Sequence, residues 1–251
     1  MSIIVTQVNK FGIIFGSDSN ITNTEEGEVH CAGKKIFEIP KLKAAMCIAG
    51  TYTVGGEMLD IWLPKFIIEN QDSYSSLEDF TAILSKAFED QMLPKEKSNL
   101  SISHIAGYVN GHPEMWCLSN TELKEDGHYT VGSSQFHYSE DLWGRDWGDN
   151  NLEALFLSSG LNYQMYVNSL TQGRVAFNIV RNYLDRYFIS MFSYSNYKFR
   201  APVSLEEHGL LVKTYVDMID VMYRLSDYES KEIGGETQLY MIPKPEYLDI
   251  K

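Results

Sequence analysis

Cysteine is scarce in this chain. Cys31, Cys47 and Cys117 are odd in number and widely spaced, which excludes a disulfide framework and a Cys-x-x-Cys metal site. Cys47 and Cys117 sit inside apolar runs and read as small core residues. Proline is also sparse, at 7 of 251 residues, so a collagen-like or proline-rich extended chain is excluded. No apolar run approaches the roughly 20 residues that a membrane-spanning helix needs. Behind Met1-Ser2-Ile3-Ile4-Val5 there is neither a basic stretch nor a long apolar core, so no signal peptide and a reducing, cytoplasmic setting are expected. Positive charge is short as well. Lys and Arg number 21 against 34 Asp and Glu, a net charge of −13. A surface of that sign repels polyanions, and no local basic patch offsets it, so neither nucleic acid nor an anionic membrane is an expected partner.

The composition is otherwise that of a globular protein, with 44 % hydrophobic and 22 % charged residues. A chain of this length can bury about 73 % of its unfolded surface, enough for one substantial core. A single domain over residues 1–251 is expected.

Ser2 to Val8 is β-branched and apolar. Asn9-Lys10-Phe11-Gly12 has turn chemistry, and Ile13 to Gly16 is apolar again, so the chain opens with a hairpin. Residues 23–33 are polar and rich in Glu and Gly, which predicts a loop. Lys34 to Ile39 and Ala44 to Ala49 read as a second strand pair joined through Pro40. Gly50 hands over to a helical pattern with Met58, Ile61, Trp62 and Phe66 on one face and Pro64 as a kink or an early end. A second helix follows Ser75, with Glu78 completing a capping box and Phe80, Ile83, Leu84, Phe88 and Met92 as its stripe.

Residues 101–109 and 114–118 form another hairpin, turned at Asn110-Gly111, and Tyr129 to Ser133 reads as a short strand ending at glycine. Residues 136–172 are less regular and carry Trp143 and Trp147. Helices are expected over 173–192, and from Ser204 with Glu207 as a capping pair and Leu211, Tyr215, Met218 and Met222 as its stripe. The chain then passes a glycine pair and a strand from Thr237 to Ile242. Strands and helices segregated in runs, with helices on both outer faces, define an α+β sandwich.

The usual signatures of nucleotide, zinc and serine-elbow chemistry are absent, and His30, His104, His112, His128, His137 and His208 do not pair at ligand spacing. No metal and no cofactor is expected. Ser2 is different. Removal of Met1, which a small second residue favours, would leave a hydroxyl and a free amine on one residue. An α-amine titrates near ~7.7–8.0 and can act as a base near neutral pH.

Ser2-Ile3-Ile4-Val5 is followed by Gly12-Ile13-Ile14-Phe15-Gly16-Ser17-Asp18-Ser19, by Lys34-Lys35-Ile36-Phe37-Glu38-Ile39, by Ile48-Ala49-Gly50 and by Val131-Gly132-Ser133. In order and in spacing from Ser2, this set resembles the proteasome β-subunit and HslV-like family of N-terminal-nucleophile hydrolases, most closely its bacterial proteasome-like, Anbu-like branch. The resemblance implies a four-layer αββα sandwich, with residues 136–172 as an insertion. It implies Ser2 as nucleophile in place of the usual threonine, with its own α-amine as base. Lys35, rather than Lys34, would lie beside the Ser2 hydroxyl, and Asp18 would pair with Lys35. Gly50 would offer its N–H to an oxyanion, at the entrance to a helix whose dipole favours negative charge. Ser133 would orient the amine or a water.

The family's closing Asp-x-x-Ser-Gly-Gly is here Ser230-Lys231-Glu232-Ile233-Gly234-Gly235, which keeps the glycines and changes both polar positions. The expected substrate is a peptide or amide. The expected assembly is a homo-oligomeric ring or helical array, with Trp143 and Trp147 as contact candidates and any unfoldase partner left open. Three readings follow: an N-terminal serine peptidase, a catalytically silent scaffold of the same fold, and a small-molecule amidase of the same superfamily that differs in substrate and not in mechanism. Taken singly, Asp18 and Lys35 would be an ordinary ion pair and Gly50 a turn glycine. The combination is what points to hydrolysis.

Overall fold

A computed structural model describes residues 2–22, 29–123, 129–131, 137–140, 163–169, 202–225 and 233–246. The fold is mixed α/β with antiparallel sheets. The opening hairpin pairs β1 (Ile3–Asn9) with β2 (Gly12–Ser17) around Lys10-Phe11, where Phe11 N–H donates to Asn9 Oδ1 at 2.8 Å. A short ribbon follows, β3 (Asn20–Thr22) against β4 (Val29–Ala32), so part of the predicted loop over 23–33 is strand. β5 (Ile36–Ile39) and β6 (Ala44–Gly50) are joined by a 3-10 turn at Pro40–Leu42, closed by Lys43 at φ 48°.

Gly50 does not lead directly into a helix, as the sequence suggested. A small hairpin of β7 (Thr53–Val54) and β8 (Glu57–Met58) intervenes before α1 (Leu59–Glu69). Pro64 lies inside α1, which continues to Glu69. The buried face of α1 is Leu59, Trp62, Leu63, Phe66 and Ile67, while the expected Ile61 points to solvent. α2 (Leu77–Gln91) is capped one residue later than predicted. Ser76 Oγ accepts Asp79 N–H at 3.0 Å, and the Asp79 carboxylate accepts the N–H groups of Ser75 and Ser76. Either adjacent serine has an acid three residues on, and the extended backbone of Ser76 decides between them. The predicted α2 stripe packs inward, with Phe80, Leu84, Phe88 and Met92 buried and Ile83 against them.

After α3 (Pro94–Lys97), β9 (Ser101–Val109) and β10 (His112–Ser119) form the expected hairpin. Asn110 at φ 49° and Gly111 at φ 86° supply the two left-handed residues of a tight type I′ turn. β11 (Thr121–Leu123) pairs β12 (Tyr129–Val131), β13 (His137–Glu140) pairs β10, and β14 (Tyr163–Ser169) pairs β1. Two pieces of the irregular 136–172 stretch are therefore edge strands of the main sheets. The aromatic and β-branched content of Tyr163 to Ser169 accounts for the second. Trp143, Trp147, Ser133 and the helix expected over 173–192 lie outside the described residues.

α4 (Leu205–Leu225) begins after Ser204, whose Oγ accepts Glu207 N–H at 3.2 Å. Its buried face includes Leu211, Val212, Tyr215, Val216 and Ile219, with Met218 partly buried, whereas the expected Met222 is exposed. β15 (Gln238–Pro243) closes the chain's sheet structure against β2.

The larger sheets run β14-β1-β2-β15 and β13-β10-β9-β6-β5. Strand alternation divides their side chains. Ile3, Val5 and Ile14 pack with α4, while Ile4, Val8, Ile13 and Phe15 pack with Ala45, Cys47, Ile102 and Ala106 of the other sheet. Met46, Ile48 and Ile105 pack with α1 and α2. β1 is thus buried along its whole length, which explains a strand with almost no polar alternation. Among the described residues, no helix is long and apolar enough to cross a membrane.

Candidate active site

Ser2 stands at the entrance to β1, and Asp18 follows the end of β2. The register Ile4↔Ser17 brings these two ends together. Ile3 N–H donates to Asp18 Oδ1 at 2.9 Å. Lys35 lies just before β5 in the other sheet. Its carbonyl accepts Ile48 N–H at 3.1 Å, and its side chain crosses to the opening hairpin. Lys35 Nζ donates to Ser2 Oγ at 2.8 Å and to Asp18 Oδ1 at 2.9 Å. All three residues are buried, with relative exposures of 5 % for Ser2 and 1 % for Asp18 and Lys35. Lys34 is exposed over the Phe37 ring and Lys35 is buried, so of the two adjacent lysines the second faces Ser2, as alternation of neighbouring side chains allows for only one of them.

The Asp18 carboxyl is held from two directions. Oδ1 accepts Ile3 N–H and Lys35, and Oδ2 accepts Gly234 N–H at 3.3 Å. The Gly234 carbonyl in turn accepts the N–H groups of Ser19 at 3.1 Å and Asn20 at 3.0 Å. Burial raises the Asp18 pKa, against the pull of Lys35 and of the two backbone donors. Burial lowers the Lys35 pKa, against the support of Asp18. Two fixed N–H groups on opposite oxygens can only donate, so the arrangement serves a carboxylate paired with an ammonium. An ammonium held by Asp18 and donating to a serine hydroxyl favours the ionised form of that hydroxyl.

Gly50 closes β6, two residues past the Ile48 that bonds Lys35, at φ 107°. It lies opposite Ser101 of β9, in the sheet whose edge strand β5 follows Lys35. The helix-dipole argument for Gly50 does not hold, because α1 starts at Leu59. The segment after it is tied instead to α3. Thr51 Oγ1 donates to the Glu96 carbonyl at 3.0 Å, and the Glu96 carboxylate accepts Gly55 and Gly56 N–H, each at 2.9 Å.

Ser2, Asp18 and Lys35 are thus brought together, Gly50 ends the strand that pairs with β5 after Lys35, and Ser133 lies outside the described residues. Among those residues no group of three metal-ligating side chains clusters. Sequence reasoning missed the backbone of Gly234, whose glycine pair was noticed only for its altered neighbours. It also missed Gln238, which bonds the backbone on both sides of Lys34 and which no local signal marks. Ile233, at the position where the resembling family has serine, is buried among apolar residues that include Ile3 and Ile219. No family model and no curated protein matches the chain.

Proposed function

We propose that this chain is a proteasome-like N-terminal-nucleophile amidohydrolase, a peptidase whose nucleophile is the Ser2 hydroxyl once Met1 has been removed. The observation that carries the reading is the buried run from Ser2 Oγ through Lys35 Nζ to Asp18 Oδ1, at 2.8 and 2.9 Å. An ammonium donating to a serine hydroxyl favours its ionised form, and Asp18 keeps that ammonium in place. A buried lysine that contacts both Asp18 and the Ser2 hydroxyl supports a reactive Ser2 beyond what an ion pair alone would.

The Ser2 α-amine takes the hydroxyl proton as Oγ bonds to the substrate carbonyl carbon. The carbonyl electron pair moves onto oxygen, and the Gly50 N–H donates to the oxyanion. Collapse breaks the C–N bond, and the proton held on the α-ammonium passes to the leaving amine. Water, deprotonated by the same amine, then cleaves the Ser2 ester and restores the site. No cofactor enters these steps.

The four-layer αββα arrangement belongs to the same proposal. Its support is the set of three apolar clusters: helices against one sheet, sheet against sheet, and α4 against the other sheet. The bacterial proteasome-like branch, a homo-oligomeric ring or helical array and a cytoplasmic setting rest on the residue pattern from Ser2 to Gly50, and the setting also on three free cysteines. A silent scaffold is the second reading. Ile233 favours it, because an apolar side chain there provides no hydroxyl for the amine.

Intact-mass measurement, followed by exposure of the Met1-free protein to a serine-directed sulfonyl fluoride, separates the two. Catalysis predicts an adduct on Ser2 Oγ that is lost in Ser2→Ala. A Met1-free wild-type protein without that adduct leaves the scaffold.

A further inference from the structure

Gln238 is the first residue of β15, opposite Ser17 in the register with β2. Its side chain leaves its own sheet and meets the segment that precedes β5. Oε1 accepts Lys35 N–H at 2.9 Å, and Nε2 donates to the Gly33 carbonyl at 2.6 Å. These partners fix the amide's orientation, since an N–H requires the oxygen and a carbonyl requires the nitrogen. One side-chain amide thereby copies the pairing that a neighbouring strand would give to residues 33 and 35. Other peptide groups here are held from other sides: Gly33 N–H by the Ser19 carbonyl at 2.8 Å, the Lys34 carbonyl by the Tyr52 hydroxyl at 2.6 Å and the Lys35 carbonyl by Ile48 N–H at 3.1 Å.

Lys35 reaches Ser2 and Asp18 through a flexible four-carbon stem. Its Nζ meets two acceptors at once only while the Lys35 backbone stays where it is. The backbone ahead of β5 is tied to β6 through the Lys35 carbonyl, and Gln238 of β15 holds it from the other side through the Lys35 N–H and the Gly33 carbonyl. We infer that Gln238 is a positioning residue for the proposed reaction, acting through Lys35 by fixing the backbone from which Lys35 reaches the Ser2 hydroxyl. The inference rests on the reading of Ser2 as the nucleophile. It concerns a residue outside the pattern that suggested that reading.

The test compares wild type, Lys35→Ala, Gln238→Ala and Gln238→Glu, all as full-length, Met1-free protein. The rate of sulfonylation at Ser2 Oγ by an aryl sulfonyl fluoride is followed by mass spectrometry across pH. In that reaction the Oγ–S bond forms, fluoride leaves and the hydroxyl proton goes to the α-amine. Gln238→Ala is expected to slow the first-order step by about 10- to 100-fold with reagent affinity nearly unchanged, the cost of a small misplacement of a reacting group. Its pH midpoint is expected to rise, because a less well-held ammonium depresses the α-amine pKa less.

Gln238→Glu keeps the acceptor for Lys35 but turns an oxygen toward the Gly33 carbonyl, and is expected to fall between wild type and Gln238→Ala. A purely structural role for Gln238 would lower the urea midpoint without moving the pH midpoint. If Gln238→Ala matches wild type in rate and pH midpoint while Lys35→Ala is inert, the inference is overturned and the nucleophile reading stands. A wild-type protein that is itself unreactive overturns both.

Discussion

The N–H of Gly234 donates to Asp18 Oδ2 at 3.3 Å, linking the end of the chain to a carboxylate near its start. Gly234 sits at φ +153°, and a Cβ there would stand 2.6 Å from Asp220 Oδ1 and 3.0 Å from Asn20 Nδ2. Gly234→Ala is therefore expected to destabilise the protein by about 1–3 kcal/mol through backbone strain. It should also loosen Asp18, because a turn that shifts to admit the Cβ carries the N–H of residue 234 away from Oδ2, where it is the donor among the described contacts. Urea denaturation gives the first effect. An unchanged midpoint would mean that the turn adapts and that the glycine is dispensable there.

Lys35 and Asp18 form a buried pair, and removing one member strands the other. Lys35→Met is expected to cost about 3–5 kcal/mol. Adding Asp18→Asn should recover part of that loss, because the stranded carboxylate is gone. The comparison is a double-mutant cycle from equilibrium unfolding. Strictly additive losses would show that the two groups do not depend on each other for stability.

The local chemistry of the chain was legible wherever a few adjacent residues decide the outcome. Asn110-Gly111 dictates its turn because both positions need positive φ, and the Phe80, Leu84 and Phe88 stripe dictates the buried face of α2. Ser2, Asp18 and Lys35 were legible through the order and spacing that carry the family resemblance, which pointed to the second lysine, while strand alternation said only that one of Lys34 and Lys35 can face inward. The misses have physical causes. Ile61 and Met222 lie at the margins of their helical stripes, where a small rotation turns an apolar side chain outward. The handover at Gly50 was misread because the two-residue strands β7 and β8 are too short to leave a period. Gly234 and Gln238 contribute through contacts more than 200 residues away in sequence, and nothing in their own neighbourhoods encodes the partner.

His104 offers a prediction independent of the reaction. It is fully buried between the sheets, with Nδ1 2.9 Å from Thr6 Oγ1, and burial pushes its pKa down to about 3. The unfolded chain protonates this histidine near pH 6.5, while the folded protein resists until about pH 3. Between those values the unfolded state binds the extra proton, so stability falls as pH falls. From pH 7 to pH 5 this one group should remove about 2 kcal/mol. His208, pushed down to about 4, acts in the same direction, and Asp18, raised by burial, opposes it at lower pH. His104→Gln isolates the histidine's share. Its unfolding free energy should fall less steeply between pH 7 and pH 5 than that of wild type, and parallel curves would refute the assignment.

The pH dependence of the reaction discriminates the base. If the Ser2 α-amine accepts the hydroxyl proton, it must be neutral before attack, so the rate on Met1-free protein should rise with pH and then level off. An unperturbed α-amine would put the midpoint near ~7.7–8.0. The Lys35 ammonium, 2.8 Å from the hydroxyl of the same residue, disfavours a second positive charge and should move that midpoint lower. Lys35→Met removes the charge, so its residual reaction should be slower and its midpoint should return toward the unperturbed value. Lys35→Arg keeps a charge that cannot be lost, so a low midpoint should persist even where the bulkier head slows the reaction. Sulfonylation rates at Ser2 between pH 6 and pH 10 provide the profiles. A wild-type rate that is flat over that range would mean that the base is already deprotonated at pH 6, and the α-amine would lose its role even if Ser2 remained the nucleophile.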